Sequence, residues 1–363
     1  MRRSLVRSGS HPVPSGTRLP GSCGCVADGC AIGWTWVSAV AMSRLSRRQM
    51  LAAGAGAVGA VASGLVLDQY LWPLLDREDL IPGVPPDITL EPHAWSETAD
   101  SFRFAVIGDN GSGGRQAMAV ARRMALTYSE LPFGLVSLLG DISYYGTFKR
   151  RFHDVFVKPM GPLIDAGVDF ELAIGNHDTA LNHTDASIEA IEEELRLLGT
   201  PGRFYKVSHG PADFFYLDSS VPGVFGPGAK EQWEWLDDML ASSTNQWKIV
   251  ALHHPLYSSG LHGSTVGARE KLEPILVRRH VDLVMAGHDH DYERTHPQEG
   301  VTYVVSGGGC KTTAVGSSRF TARSASILQF MVVDVIDDRL DARCVRVDGA
   351  VADRFTLRAR EGR

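Results

Sequence analysis

The chain has 363 residues, 44% hydrophobic and 21% charged, which is typical of a globular protein with one large domain or two small ones. Its formal net charge of -6 gives no electrostatic reason to expect nucleic acid, so we predict no nucleic-acid binding. Cys23, Cys25 and Cys30 have no later Cys or His partner at a zinc-site spacing. Cys310 and Cys344 are equally compatible with a disulfide and with two free thiols.

The N-terminal region carries the features of an export signal. Arg47 and Arg48 immediately precede an uncharged run, rich in Ala and Gly, over residues 51–67. A basic pair followed by a weakly hydrophobic run resembles a twin-arginine signal over residues 42–67. We therefore expect export by the twin-arginine machinery and an extracytoplasmic or secreted protein.

Two further expectations concern this region. Residues 1–41 are rich in Arg, Ser, Gly and Pro without periodicity, so we expect a non-native or disordered extension and a functional start at Met42. Ala60-Val61-Ala62 is a candidate cleavage site. The apolar run over 51–67 is also at the short limit for a membrane span, so membrane anchoring by these residues remains the alternative.

Residues 68–100 contain five prolines and indicate a linker, followed by a single domain over residues 101–358. The strands predicted there lie at 104–107, 133–139, 170–174, 204–207, 214–218, 247–252, 281–285, 301–306, 327–335, 340–347 and 351–357. Helices are predicted at 115–130, 186–198, 229–240 and 268–280, and residues 147–167 are helical or irregular. This order predicts an α/β (α+β) fold in which two mixed β-sheets pack as a sandwich flanked by helices.

Five short segments share one pattern, in which an apolar strand ends at or near glycine and an Asp, Asn or His follows. The segments are Gly108-Asp109-Asn110-Gly111, Gly140-Asp141-Ile142-Ser143-Tyr144, Gly175-Asn176-His177-Asp178, Leu252-His253-His254-Pro255 and Gly287-His288-Asp289-His290. Glycine permits a sharp turn and close approach of a ligand. Parallel strands present side chains at the crevice beyond their carboxyl ends. One such segment alone is usually a turn, but five in order predict a shared site.

The predicted site binds two metal ions. Its ligands are Asp109, Asp141, Tyr144, Asn176, His253, His288 and His290. Mixed oxygen and nitrogen donors suit Fe, Zn or Mn rather than a metal that prefers thiolates. Asp141 is positioned to bridge the ions, and the i, i+2 spacing of His288 and His290 lets each imidazole reach a different one.

In order and spacing, these motifs resemble the calcineurin-like metallophosphoesterase superfamily over residues 102–310. Most of that superfamily begins with Asp-x-His, but Gly111 stands at the histidine position here. Tyr144, three residues after Asp141, gives a Gly-Asp-x-x-Tyr pattern that resembles the purple acid phosphatases. Residues 68–100 are too few for the extra β-domain of the large form, so the chain resembles the small, tartrate-resistant type.

The resemblance implies how the ligands divide between the metals. The first metal takes Asp109, Asp141, Tyr144 and His290, and the second takes Asp141, Asn176, His253 and His288. Because phenolate is a hard anionic donor, the resemblance implies Fe(III) at the first position. It implies Fe(II), Zn(II) or Mn(II) at the second.

The resemblance also implies an exported, acid phosphatase-like enzyme that hydrolyses phosphate monoesters by attack of metal-bound hydroxide on phosphorus. His177 matches the histidine that steadies the phosphoryl group and protonates the leaving oxygen, and His262 matches a second pocket histidine. His254 is a candidate for substrate contact or for orienting His253. Arg294 is a candidate for substrate contact at the rim, with a solvated loop position as its alternative.

Two other functions stay open at this point. The same dimetal scaffold serves phosphodiesterases that act on nucleotides or lipid headgroups. A non-catalytic, phosphate-binding surface protein is the alternative outside the enzyme class, although the complete ligand set argues against it.

Overall fold

The computed structural model describes residues 101–144, 152–178, 196, 198–220, 224, 229–336 and 338–360. The predicted export segment, the linker and nearly all of the predicted helix at 186–198 lie outside these residues. The described helices are α1 (Arg115–Glu130), α2 (Lys158–Asp165, preceded by a π-helical turn at His153–Val157), α3 (Ala229–Ser242) and α4 (Val266–Arg278).

Thirteen strands form two sheets in the described part of the chain. They are β1 (Ser101–Ile107), β2 (Leu135–Leu138), β3 (Asp169–Leu172), β4 (Tyr205–His209), β5 (Ala212–Tyr216), β6 (Trp247–Ala251), β7 (Leu283–Ala286), β8 (Tyr292–Thr295), β9 (Thr302–Ser306), β10 (Thr321–Ala325), β11 (Gln329–Ile336), β12 (Arg339–Arg346) and β13 (Val351–Arg358). Sheet one has the order β13-β12-β11-β1-β2-β3, and sheet two has the order β10-β8-β9-β7-β6-β5-β4. Both sheets contain parallel and antiparallel pairs, which confirms the predicted pair of mixed sheets.

The alternation of side chains along β1 shows how the layers form. Phe102, Phe104 and Val106 belong to the apolar layer between the two sheets, whereas Ala105 and Ile107 face the layer under α1 and α2. This is the period of two that a strand with both faces covered must show. A third apolar layer lies between sheet two and the helices α3 and α4.

Two strands were missed by the sequence prediction. β8 and β10 pair with each other at the edge of sheet two, and both are rich in charged or polar residues. Neither has the apolar run on which the prediction relied, because Glu293 and Arg294 occupy the middle of β8 and β10 is a half-exposed edge strand.

One other prediction is settled by the described residues. Cys310 and Cys344 are both buried free thiols, which excludes the disulfide alternative. None of the helices in the described ranges combines the length and the apolar character that crossing a bilayer requires.

Candidate metal centre

Five strand ends meet at one edge of the sandwich. In sheet one, β1, β2 and β3 are parallel neighbours, and Asp109, Asp141 and Asn176 lie beyond their carboxyl ends. In sheet two, β6 and β7 are parallel neighbours, followed by His253 and His288. Because parallel neighbours end at the same edge, side chains distant in sequence converge there.

The backbone at the predicted ligands is unusual. Among the described non-glycine residues, five have positive φ, and three of these are Asp109 (59°), Asp141 (55°) and His288 (71°). The left-handed region is uncommon for residues with a side chain, and such conformations concentrate at functional sites. The sharp turn after each strand is therefore made partly by the ligand residue itself.

The glycines of the motifs allow the sheets to approach closely. A Cβ on Gly287 would lie 2.6 Å from Asp109 Oδ2 and 2.8 Å from the Leu139 carbonyl oxygen. A Cβ on Gly140 would lie 2.6 Å from His253 Nδ1, and one on Gly175 would overlap the Asp141 carboxylate. Larger residues at these positions would displace the predicted ligands, as expected for glycines that serve close packing.

One group of ligand atoms lies around the phenol of Tyr144. Tyr144 Oη is 3.0 Å from Asp109 Oδ1 and 3.3 Å from His290 Nε2, and these two atoms are 3.3 Å apart. Four ligands at about 2.1 Å from a tetrahedral ion stand about 3.4 Å from one another. The three atoms therefore have the spacing of ligands that share one ion.

A second group lies around the amide of Asn176. Asn176 Oδ1 is 3.0 Å from His253 Nε2 and 3.0 Å from His288 Nδ1. Asp141 Oδ2 lies 3.5 Å from His253 Nε2, and Asp109, Asp141 and His253 each offer a ligand atom within 4.8 Å of the others. Asp141 thus stands between the groups, and the seven side chains fit a pair of metal ions in donor type and spacing.

Hydrogen bonds fix the ligands in their orientations. His253 Nδ1 lies 2.7 Å from the Leu139 carbonyl oxygen, which can only accept, so Nδ1 carries the proton and Nε2 is left as the predicted ligand atom. Asp178 accepts backbone N–H groups of Gly175, Asp141 and Ile142 at 2.8, 2.8 and 2.9 Å. Its carboxylate therefore joins the loops after β2 and β3.

Burial and charge set the protonation of the site. Burial lowers the pKa of His288 well below its ordinary value, and burial together with His253 lowers the pKa of His254 to about 3. Both rings are therefore neutral near pH 7, which for the predicted ligand His288 is the form that binds a metal ion. Burial by itself raises the pKa of Asp141, but the attraction of His253 and His177 outweighs it, and the net shift is downward.

His262 is held beside the second group by a carboxylate. Asp289 Oδ1 accepts the His262 backbone N–H at 2.7 Å and lies 3.0 Å from His262 Nδ1. Asp289 Oδ2 also accepts the Ser258 hydroxyl at 2.5 Å and the Gly263 N–H at 3.2 Å. The loop is therefore fixed, with the His262 ring 4.3 Å from that of His288.

The other predicted catalytic residue, His177, lies beside the first group of ligand atoms. Its ring centroid is 4.7 Å from that of Tyr144, and its backbone N–H donates to Asp141 Oδ1 at 2.8 Å. The structure therefore brings His177 and His262 to the same centre from different loops, next to different groups of ligand atoms.

Of the two candidates for substrate contact, His254 and Arg294, the structure brings only His254 to the site. The His254 ring centroid lies 5.0 Å from that of His253 and 4.5 Å from that of His288, and Ser219 Oγ is 3.0 Å from His254 Nδ1. Whether His254 contacts substrate or orients His253 stays a prediction.

The structure does not bring Arg294 to the ligands. Its guanidinium donates to the Asp353 carboxylate of β13 at 2.7 Å and lies over the Phe355 ring. Because residues two apart in a strand face the same side, Arg294 shares the face of Tyr292, which is buried between the sheets. We correct the prediction: Arg294 joins the two sheets and does not line the site.

Two residues at the centre were missed by the sequence prediction. Ser219, after β5, accepts the backbone N–H groups of His253 and His254 at 3.1 and 2.9 Å. Lys311, which follows β9 and a run of glycines, places Nζ 4.6 Å from the centroid of the Tyr144 ring. Both follow a strand, and the glycines before Lys311 repeat the pattern of the recognised motifs, so a sequence signal did exist.

Comparisons with known proteins agree with this geometry. The sequence profile of the calcineurin-like phosphoesterase family matches residues 102–292. The chain is 27% identical over 238 residues to purple acid phosphatase 7 of Arabidopsis thaliana, covering 58% of this chain and 71% of the relative. It is 26% identical over 242 residues to tartrate-resistant acid phosphatase type 5 of Rattus norvegicus, covering 58% and 73%.

A solved structure supports the fold. A purple acid phosphatase from seeds of yellow lupin (Lupinus luteus) superimposes with a TM-score of 0.63 at 22% identity, over 71% of this chain. The match covers 54% of the lupin chain, so this chain corresponds to about half of that protein. At this identity the likeness shows the arrangement of the sheets and not the activity.

Proposed function

Because the chain belongs to the calcineurin-like phosphoesterase family, we propose that it is an exported phosphatase of the purple acid phosphatase type that hydrolyses phosphate monoesters. The observation that carries the proposal is the position of Tyr144, whose hydroxyl lies 3.0 Å from Asp109 and 3.3 Å from His290. Gly111 stands where most of the family has a ligand histidine, and we propose that the Tyr144 oxygen takes the role of that histidine. Relatives named purple acid phosphatases also match the chain.

Seven side chains would hold the two metal ions. Asp109, Tyr144 and His290 would hold the first ion, Asn176, His253 and His288 the second, and Asp141 would bridge them. We propose Fe(III) for the first position because a phenolate is a hard anionic donor, and Fe(II), Zn(II) or Mn(II) for the second. When bound, such ions supply positive charge to the phosphate oxygens and a water molecule of lowered pKa.

We assign proton transfer to His262. Its Nδ1 lies 3.0 Å from Asp289 Oδ1, so the carboxylate stabilises a positively charged imidazolium and leaves Nε2–H to donate to the leaving oxygen. His177 packs against the Tyr144 ring, with Nε2 4.0 Å from Asp141 Oδ2, and we propose that it donates a hydrogen bond to an oxygen of the phosphoryl group. Protonation of the leaving oxygen by His177 stays the alternative prediction.

The decisive experiment combines metal analysis, a visible spectrum and two substrates. Wild-type protein loaded with iron should be coloured, and Tyr144→Phe should lose the colour while retaining its far-UV circular dichroism spectrum. The wild type should hydrolyse p-nitrophenyl phosphate faster than bis(p-nitrophenyl) phosphate. A colourless iron-loaded wild type would contradict the phenolate assignment, and a faster rate on the diester would favour the phosphodiesterase.

Export is a separate part of the proposal and is supported by the sequence alone. A fusion of residues 42–67 to a reporter that folds before export should leave the cytoplasm through the twin-arginine machinery. Replacing both Arg47 and Arg48 by lysine should retain the reporter inside the cell. Fractionation of the exported reporter would also distinguish a cleaved signal from an anchor, since an anchored reporter would remain with the membrane. Export of the double-lysine variant would refute this route.

A further inference from the structure

A buried lysine lies against the phenol ring that the proposed reaction uses only as a ligand. Lys311 is 7% exposed, and its Nζ lies 4.6 Å from the centroid of the Tyr144 ring. No step proposed above uses this ammonium group, which lies beside a predicted metal ligand.

The backbone around Lys311 is tied to the ligand segments on both sides. Two residues before it, the Gly309 N–H donates to the Gly108 carbonyl oxygen at 3.1 Å. Two residues after it, the Thr313 N–H donates to the His290 carbonyl oxygen at 2.9 Å. A Cβ on Gly309 would overlap the Gly108 carbonyl, so the close approach depends on glycine. Lys311 therefore has a fixed position relative to the first group of ligand atoms.

The Tyr144 ring is enclosed as well. The residue is 8% exposed, and it packs with Ala117 and Cys310 in a small apolar cluster. The His177 ring lies 4.7 Å away by centroids. In such surroundings little water screens a charge, so the ammonium acts on the ring more strongly than it would at the surface.

We propose that Lys311 is a positioning residue that holds the Tyr144 phenol ring and weakens its electron donation to the first metal ion. The inference rests on the proposed function, because it requires a phenolate bound to Fe(III). A positive charge beside an anionic ring stabilises the electrons of the ring. Absorption of visible light moves one of these electrons to the iron. Because this removes negative charge from beside the ammonium group, the transition costs more energy than it would without Lys311. Lys311 thus sets the colour of the centre as well as the donor strength of its phenolate.

The test is the wavelength of the visible band in iron-loaded, full-length protein. Lys311→Met keeps an unbranched chain of similar length but removes the charge, so the band should move to longer wavelength. Lys311→Gln is a second neutral variant that gives the same reading if the methionine variant does not fold. Lys311→Arg keeps the cation and should leave the band close to that of the wild type.

Lys206→Met is the matched control. Lys206 also lies over an aromatic ring, with Nζ 5.9 Å from the Phe215 centroid, but it belongs to β4 and not to the metal centre. This variant should leave the band unchanged.

In the Lys311→Met enzyme kcat on p-nitrophenyl phosphate should fall roughly tenfold, as for other residues that support metal ligands, with KM unchanged.

The outcomes separate the inference from the proposed function. If the wild type is coloured and the neutral variants absorb at the wild-type wavelength, the role of Lys311 is refuted and the phosphatase proposal stands. An unmoved band with a raised KM would also refute it and would make Lys311 a substrate contact. If the iron-loaded wild type shows no band, the phenolate assignment fails, and the inference fails with it.

Discussion

The two sheets contribute different chemistry to one centre. Sheet one presents the predicted oxygen donors, namely Asp109, Asp141, Tyr144 and Asn176, after the ends of three adjacent parallel strands. Sheet two presents the predicted nitrogen donors, namely His253, His288 and His290, after the ends of β6 and β7. Neither sheet by itself carries a complete set for either ion, so the centre depends on the packing of one sheet against the other.

Each sheet also orients the ligands of the other. The Leu139 carbonyl oxygen of sheet one accepts from His253 Nδ1 at 2.7 Å, which leaves Nε2 directed toward Asn176 and Asp141, two predicted ligands from sheet one. In return, the His288 backbone N–H of sheet two donates to Asp109 Oδ2 at 2.8 Å. This reciprocity means that a change at the junction of the sheets should disturb both donor types, whereas a change elsewhere in either sheet should not.

The largest effect is expected for the carboxylate that stands between the two groups. Asp141→Asn removes its charge, yet asparagine tolerates the left-handed backbone at this position (φ 55°). We expect kcat on p-nitrophenyl phosphate to fall about 10³-fold or more, together with metal content measured by elemental analysis. Retention of both metals and of activity would show that the oxygen donors of sheet one do not bridge the ions.

The next effect should separate catalysis from metal binding within sheet two. His262→Gln removes the proposed proton donor but no metal ligand, so kcat should fall about 10²-fold or more at unchanged metal content. Asp289→Asn weakens the orientation of His262, together with the hydrogen bonds from Ser258 and Gly263 in the same loop, and should cost less, about 10–100-fold. An unaltered rate in His262→Gln would contradict the assignment of proton transfer, and the loss should be smallest for substrates whose leaving group is a weak base.

The junction of the sheets can be tested without replacing a predicted ligand. The added methyl group of Gly287→Ala would lie 2.6 Å from Asp109 Oδ2 and 2.8 Å from the Leu139 carbonyl oxygen, so the sheets must shift. We expect the free energy of unfolding to fall by about 1–3 kcal/mol in urea denaturation, with loss of metal.

Gly161→Ala is the control for this change. It lies in α2, and no atom beyond the adjacent residues and the backbone of the helix itself lies within 4 Å of the added methyl group, so the free energy of unfolding should change by less than about 1 kcal/mol. Equal effects of the two substitutions would show that the sheets do not meet as tightly as the glycine contacts indicate.

The smallest effect on the metal centre is expected for Asp213, a buried carboxylate of sheet two. Its hydrogen-bond donors all lie outside the predicted metal site. Asp213 lies 2.7 Å from Lys206 Nζ and accepts from Ser208 Oγ, Ser243 Oγ and Asn245 Nδ2. Burial alone would raise its pKa, but these donors, with Lys206 foremost, lower the pKa below its ordinary value of 3.8. The stabilisation is therefore present above that value and is lost as the pH falls through the folded-state pKa.

Asp213→Asn should consequently lower the free energy of unfolding by about 1–3 kcal/mol at neutral pH. The difference from wild type should shrink when metal-free protein is unfolded at a pH below 3.8. Metal content and kcat should stay at wild-type values, in contrast to Asp141→Asn. A cost that is independent of pH would show that the charge of Asp213 contributes nothing to stability.

Much of the site was predictable because a local sequence pattern marks most of the predicted ligands. A buried strand, a glycine and a polar residue stand next to one another in the sequence, and parallel strands must end at a common edge. All seven predicted ligands therefore lie together, and helix α1 was predicted with the bounds it has, Arg115–Glu130. The strand β8 was missed because its sequence lacks an apolar run, although it follows directly after a ligand segment.

The sequence by itself determined the donor types, the order of the motifs and the pair of mixed sheets, because these depend on neighbouring residues and on strand periodicity. Only the tertiary structure decided that Asp289 holds His262, that Arg294 pairs with Asp353 and that Lys311 lies against Tyr144. These contacts join residues from 27 to 167 positions apart, the difference between 289 and 262 and between 311 and 144. No local pattern encodes such a contact, since it exists only after the sheets and their loops have packed.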